Sequence, residues 1–128
     1  MKSSTLASHK QAATDFLELV STGRVREAFD KYTAPDFCHH NVYFPGDAAS
    51  LAAAMEENAR ANPDKFYEPR MSIEEGNRVA VFGRVRHKPG DPDYALVHIF
   101  RFEDDRIAEL WDVGQEIPKD CPNGNGAF

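Results

Sequence analysis

The chain has 128 residues, of which 41% are hydrophobic and 28% charged, and its formal net charge is −6 at pH 7. This length and composition fit one globular domain with a single core. The acidic balance argues against nucleic acid or anionic membrane as partner, because phosphate binding needs clustered positive charge. No apolar run is long enough to cross a bilayer, and residues 1–6 lack the apolar stretch of a signal peptide. We therefore expect a cytoplasmic protein.

The cysteines and histidines do not have the spacing of a metal site. Cys38 and Cys121 lie far apart without a C-x-x-C pattern, and the histidines lack an H-x-H pattern followed by a carboxylate. Cys38 and His40 share a face of an extended segment, but no predicted helix N-terminus supports a reactive thiolate there. We expect free thiols, no metal and no cofactor.

Three helices are predicted from apolar residues at helical spacing. The first ends near Gly23, the second is closed by Pro35, and the third begins at an Asp47 N-cap and ends at Asn62 and Pro63. The apolar positions are Ala13, Phe16, Leu17 and Val20 in the first helix, Val25, Ala28, Phe29 and Tyr32 in the second, and Leu51, Met55 and Ala59 in the third.

Four strands are predicted over residues 67–74, 79–85, 94–102 and 107–113, joined by turn-rich segments. Pro69 marks the first of them as an edge strand. This order predicts an α+β fold in which three N-terminal helices pack on a strongly curved antiparallel sheet. The hollow between them is the expected ligand site. We expect one domain over 1–128, with a 1–8 extension and a 117–128 tail.

Two polar residues interrupt apolar strands. His98 lies within Ala-Leu-Val-His-Ile-Phe, and Asp112 lies within Ile-Ala-Glu-Leu-Trp-Asp-Val. A three-residue turn with a bulge after Glu103 would place them diagonally on one face, with Leu96 opposite Asp112; a two-residue turn would place them on opposite faces. Asp105 tolerates the left-handed backbone that a bulge needs, so we favour the first alternative. A satisfied core histidine remains the competing interpretation of His98.

A carboxylate and an imidazole in one apolar pocket can perform acid/base chemistry. Burial raises the pKa of a carboxyl group, which makes it a usable general base near neutral pH. A neighbouring histidine can orient that base, shuttle its proton or stabilise an enolate. Of the adjacent His39 and His40, only one can face the pocket.

The hairpin from Val97 to Val113 resembles the closing hairpin of SnoaL-like proteins, a branch of the NTF2-like superfamily. Its shared features are Phe-Arg-Phe, an acidic turn and Ile-x-Glu-x-Trp-Asp. Phe-Cys-His-His-Asn at 37–41 resembles the family's aromatic-x-x-His-Asn segment, and the Asn/Gly tail ending in Phe128 is similar to one bacterial subgroup. Val42 replaces a common proline, and Asp105 replaces the turn glycine. The likeness extends from about Gln11 to the end of the chain.

The resemblance implies an NTF2-like cone that dimerises through its outer sheet face. It implies a cofactor-free polyketide cyclase that closes rings by aldol condensation, with Asp112 as the acid/base residue and His98 and His40 as pocket histidines. The bound molecule would be a hydrophobic small molecule. The side chains expected to contact it are Tyr32, Phe44, Met55, Phe100 and Trp111.

Two other functions remain open at this stage. A non-catalytic ligand-binding domain would use the same histidine and aspartate only to orient its ligand. A hydrolase would usually need a second carboxylate or an arginine facing the water, and the sequence offers no convincing one on the face of Asp112.

Overall fold

The protein is described by a computed structural model over residues 8–128. Residues 1–7, most of the expected N-terminal extension, lie outside the described part. Within it the elements are α1 (His9–Ser21), α2 (Val25–Tyr32), β1 (Thr33–His39), α3 (Ala48–Ala61), β2 (Phe66–Glu75), β3 (Arg78–Arg86), β4 (Tyr94–Glu103) and β5 (Arg106–Glu116). None of the helices in residues 8–128 is both long and apolar enough to cross a membrane.

The three helices confirm the sequence prediction, and local caps fix where two of them begin. Ser8 and Gln11 form a reciprocal capping box at the start of α1. The Asp47 side chain accepts the backbone N–H of Ser50 at 2.8 Å, which confirms it as the N-cap of α3.

The sheet contains a strand that the sequence did not predict, in the order β1-β5-β4-β3-β2. β1 pairs parallel to β5, so the sheet is mixed and not purely antiparallel as expected. Pro35 ended the second predicted helix, but it lies inside β1. An edge strand tolerates the missing N–H of proline, and the register of β1 is irregular between Thr33 and Cys38. β2 forms the other edge, as Pro69 predicted.

The β4–β5 hairpin places His98 directly opposite Asp112 on the same face of the sheet. The turn has two residues, Asp104 and Asp105, both at positive φ, and not the three expected. The bulge lies further along, where Ala108 is an extra residue in β5 and the register shifts. Ile107 and Ala108 are therefore both buried although they are adjacent. The predicted shared face is confirmed, but the two residues are paired directly instead of diagonally.

The core lies between the helices and the inner face of the sheet. Its largest fully buried side chains come from α1, α2 and the three central strands: Phe16, Val25, Val79, Val81, Phe100, Phe102 and Ile107. This packing fixes the helices above β3, β4 and β5 and leaves a cavity beside the core.

The C-terminal tail follows β5 without helix or strand. Its last residue, Phe128, packs 5.7 Å from the Phe82 ring and lies beneath the guanidinium groups of Arg70 and Arg84. The tail thus covers one margin of the outer face of the sheet.

Candidate functional site

The cavity has a volume of about 220 Å³ and lies between α1, α3 and the inner face of strands β2 to β5. Its walls are largely apolar, with Leu17, Leu51, Met55 and Leu96 among them. Of the predicted site residues, four line it: Phe44, Met55, His98 and Asp112. Phe44 is 42% exposed, so it lies at the mouth.

Asp112 is half-buried, and its carboxylate is held by Asn41. The Asn41 side-chain Nδ2 donates to Asp112 Oδ2 at 3.1 Å. The backbone N–H of Tyr43 donates to Asn41 Oδ1 at 3.0 Å, which fixes the orientation of the amide. A histidine was expected to orient Asp112, but the side chain that does so is the Asn41 amide. Within residues 8–128 no hydrogen bond joins Asp112 to a histidine.

His98 faces Asp112 from the adjacent strand. Burial lowers the pKa of the His98 imidazole, and the Lys65 ammonium lowers it further, while the Asp112 carboxylate opposes both effects. The net direction is downward, so His98 is neutral at pH 7 and has one N–H to donate.

His39 is the member of the histidine pair that points inward, and it organises the loop carrying Asn41. It is 5% exposed. Its Nε2 donates to the Pro45 carbonyl at 2.7 Å, and its Nδ1 accepts the Asn41 N–H at 3.1 Å. Both ring nitrogens are thereby satisfied within the loop, so His39 acts structurally and positions Asn41.

His40 and Trp111 lie on the outer face, which corrects their predicted place in the pocket. Side chains alternate along β1 and β5, so they point away from Asp112. The two rings stack at 5.0 Å, and His40 Nε2 lies 2.6 Å from Glu109 Oε2. Arg101 Nε donates to Glu109 Oε1 at 2.9 Å. The hydrogen bond with His40 and the bond from Arg101 both lower the pKa of Glu109.

Cys38 lies beside this outer-face pair. Its sulfur and the donor atoms of His40 and Glu109 are all within 4.8 Å of one another, a grouping of metal-ligand types that the spacing argument did not anticipate. Both Glu109 oxygens are already engaged, by His40 and Arg101. Desolvation and the Glu109 carboxylate raise the pKa of the Cys38 thiol, which disfavours a thiolate nucleophile.

Tyr32 and Phe100 belong to the core and not to the cavity lining, which corrects their predicted contact with a ligand. Phe100 is fully buried, 6.0 Å from the Phe16 ring. Tyr32 is buried, and its hydroxyl donates to the Asp15 carboxylate. Both residues occupy inward-facing positions of their helix or strand. The sequence periodicity shows that a side chain faces inward, but it does not show whether the side chain packs in the core or lines the cavity.

Sequence reasoning missed six polar residues that line the cavity: Ser21, Asn41, Asn58, Lys65, Tyr67 and His87. Asn41 had a signal, since it belongs to the His-Asn segment. Lys65 and Tyr67 flank the start of an edge strand, where polar residues usually face solvent, and nothing in one sequence marks them as inward-facing.

The chain matches the model of the SnoaL-like domain over residues 13–110. It belongs to the SnoaL-like family. Among solved structures, wild-type IdmH from Streptomyces antibioticus, a proposed polyketide cyclase, is similar with a TM-score of 0.69 and 18% identity, over 85% of this chain and 93% of that one. A proposed polyketide cyclase from Acidithiobacillus ferrooxidans is similar with a TM-score of 0.70 and 20% identity, over 85% of this chain and 89% of that one.

An NTF2-like protein of unknown function from Cytophaga hutchinsonii is similar with a TM-score of 0.71 and 17% identity, over 87% of this chain and 93% of that one. A comparison with curated proteins found no match. At these identities the structural likeness establishes the NTF2-like fold of the SnoaL-like protein and leaves its chemistry to the site itself.

The different roles of Phe100 and Phe44 can be measured. Phe100→Ala is expected to lower the free energy of unfolding by about 3–5 kcal/mol, because it leaves a cavity in the closed core. Phe44→Ala, at the open mouth, is expected to cost less than about 1 kcal/mol. Urea denaturation of both variants checks this, and equal losses would contradict the placement of the two rings.

Gly114 controls the shape of the cavity wall through Leu96. A Cβ added at Gly114 would lie 2.2 Å from Leu96 Cδ2, so Gly114→Ala must push Leu96 out of its place in the lining. We expect a loss of about 1–3 kcal/mol in the free energy of unfolding. In a Leu96→Ala background the same change is expected to cost almost nothing, and additive losses in this double-mutant cycle would refute the contact.

Proposed function

We propose that this SnoaL-like protein is a cofactor-independent acid/base enzyme that acts on a small, polyketide-like carbonyl compound by aldol cyclisation or enolisation. The observation that carries the proposal is the Asp112 carboxylate, half-buried in a largely apolar cavity and facing His98. Removing a proton next to a carbonyl requires a positioned base and a donor for the enolate oxygen, and this pair supplies both.

Asp112 takes the α-proton in this mechanism. Asn41 engages Oδ2, and Oδ1, which has no hydrogen-bond partner within residues 8–128, receives the proton. The C–H electron pair becomes the enolate, whose carbon attacks a second carbonyl of the same molecule in the cyclisation. The proton on Asp112 then neutralises the new alkoxide, so the base is restored without a cofactor.

His98 donates to the enolate oxygen. Its lowered pKa keeps the ring neutral at pH 7, and a neutral imidazole still offers one N–H. A preorganised donor in a desolvated site stabilises developing charge more strongly than water does. The proposed polyketide cyclases among the structural neighbours support the same class of reaction.

A non-catalytic ligand-binding domain is the second candidate. The observation that favours it is the Asn41–Asp112 hydrogen bond, because an amide orients a carboxylate but relays no proton. In such a domain Asp112 and His98 would contact polar groups of a bound ligand without turnover.

The outer face of the sheet supports a homodimer, which is part of the proposal. Two rows of largely apolar side chains cross β2 to β5 there, with Ile73 62% and Val113 66% exposed. The rows are Met71, Phe82, Val97 and Val113, and Ile73, Ala80, Ile99 and Trp111. An exposed apolar face of this extent favours burial against a second copy.

A cytoplasmic location is also part of the proposal. Cys38 and Cys121 are both free and exposed. Exposed free thiols persist in a reducing compartment and tend to oxidise outside it.

Proton abstraction can be measured without knowing the natural substrate. In D₂O, wild-type protein is expected to speed deuterium incorporation into a 1,3-dicarbonyl probe that is un-ionised at pH 7, such as ethyl 2-oxocyclohexanecarboxylate, followed by NMR. Asp112→Asn keeps the shape but cannot take a proton, so its rate is expected to fall by roughly 100- to 10,000-fold.

Asp120→Asn in the tail is the control and is expected to exchange like wild type, since Asp120 is exposed outside the cavity. A wild-type rate no higher than that of Asp112→Asn would favour the binding domain over the enzyme.

The dimer is tested by placing a charge on the outer face. Light scattering at micromolar concentration is expected to give a dimer for wild type and a monomer for Val113→Glu, because burying an unpaired carboxylate opposes association. Val42→Glu, at an exposed position of the loop after β1 and outside the two rows, is expected to remain dimeric. A wild-type monomer would contradict the assembly.

A further inference from the structure

The end of the cavity formed by α3 and β2 carries polar groups that the proposed reaction does not use. Asn58 projects from α3, Lys65 precedes β2, and Tyr67 lies on β2. β3 and β4 lie between β2 and β5 in the sheet, and the Lys65 ammonium at this end is close enough to His98 to lower the pKa of its imidazole. Polar groups therefore line the cavity on its β2 side as well as on its β4 and β5 side.

Two atoms at this end are buried without a partner. Asn58 Oδ1 and Tyr67 Oη have no hydrogen-bond partner within residues 8–128, although both side chains line the cavity. Burial raises the pKa of the Tyr67 hydroxyl to about 12, so it stays protonated and can donate. A buried polar atom without a partner is costly, and a bound ligand would relieve that cost. Tyr67 needs an acceptor, whereas Asn58 Oδ1 needs a donor.

The charges facing this end favour an anion. Lys65 and His87 line it, and within residues 8–128 no ion pair neutralises Lys65. Burial and the Lys65 ammonium both lower the pKa of the His87 imidazole, so the histidine is neutral at pH 7. Burial also lowers the pKa of the Lys65 ammonium, and a carboxylate bound beside it would favour its charged form. The Glu18 carboxylate also raises the pKa of the Tyr67 hydroxyl, but Glu18 is exposed on α1. In a chain of net charge −6, this is a locally basic wall.

We infer that the cavity binds a small keto acid, whose carboxylate lies against Lys65 and Tyr67 and whose enolisable carbonyl lies toward His98 and Asp112. The inference rests on the proposed function for its carbonyl end and on Asn58, Lys65 and Tyr67 for its acid end. A hydroxyl group near the carboxylate would donate to Asn58. The volume of about 220 Å³ is below the roughly 300–1,000 Å³ of pockets for drug-sized ligands, so the ligand has one or two rings.

The position of Tyr67 depends on Gly83. A Cβ at Gly83 would lie 3.0 Å from Tyr67 Cε1 and 3.1 Å from the Glu68 carbonyl oxygen, so the tyrosine ring occupies the space above the glycine. The direct pairing of β2 with β3 thus fixes the ring against the cavity wall.

The test uses 2-naphthoate and 2-naphthamide, which share a shape and differ in charge, with affinity measured by isothermal titration calorimetry. Wild type is expected to bind the acid at least about tenfold more tightly than the amide, because an ammonium–carboxylate hydrogen bond is stronger than a neutral one. Lys65→Met is expected to abolish this preference while leaving the amide affinity within about threefold. Tyr67→Phe is expected to weaken both probes.

Lys88→Met is the matched control, since Lys88 bonds to the Ala61 carbonyl and Asn62 outside the cavity; it is expected to retain the preference. Equal wild-type affinities, a preference that survives Lys65→Met, or no binding of either probe at millimolar concentration would each overturn the inference.

The calorimetry tests the acid-binding end and the deuterium exchange tests the proposed enzyme, so either proposal can be refuted while the other holds. If Asp112→Asn exchanges deuterium as fast as wild type while the acid preference persists, the acid-binding end stands and the proposed enzyme falls. If the preference is absent while wild-type exchange depends on Asp112, the enzyme stands and its substrate is not an acid.

Discussion

The pairing of His98 with Asp112 across β4 and β5 is the constraint on which the site depends. A two-residue turn alone would place the two side chains on opposite faces of the sheet. The extra residue at Ala108 shifts the register by one and restores the shared face. The same register pairs Gly114 with Leu96, whose side chain fills the space of the missing Cβ and completes the cavity wall. One bulge thus sets both the chemistry and the shape of the cavity.

The two faces of the sheet carry different sets of side chains. The inner face closes the core through Phe100 and Val81 and leaves the cavity beside it. The outer face carries the apolar rows and, at one margin, the stack of His40 on Trp111 beside the Arg101–Glu109 ion pair. Beyond the bulge at Ala108, side chains alternate along β5, so Asp112 points to the inner face and must find its polar partner there.

Much of the fold could be predicted from the sequence because its signals are local. The helical stripes, the Asp47 cap and the positions of the hairpin turns each depend on neighbouring residues, and they agree with the structure, although the β4–β5 turn has two residues and not three. β1 could not be found because it is short, contains Pro35 and pairs parallel with a strand far along the chain. In the site, too, the residues with a local signal could be predicted and those placed by long-range packing could not. His98 and Asp112 interrupt apolar strands, whereas the choice between His39 and His40 depends on the phase of β1, and the inward direction of Lys65 and Tyr67 depends on how α3 meets β2.

The central claim is that Asp112 and His98 act together on one carbonyl group. A crystal structure with ethyl 2-oxocyclohexanecarboxylate bound, which is un-ionised at pH 7, tests it most directly. The account predicts the acidic carbon about 3–3.5 Å from Asp112 Oδ1 and a carbonyl oxygen within hydrogen-bond distance, about 2.6–3.2 Å, of an imidazole nitrogen of His98. A ligand bound in the cavity with its carbonyl groups turned away from both residues, or held only on the outer face, would contradict it.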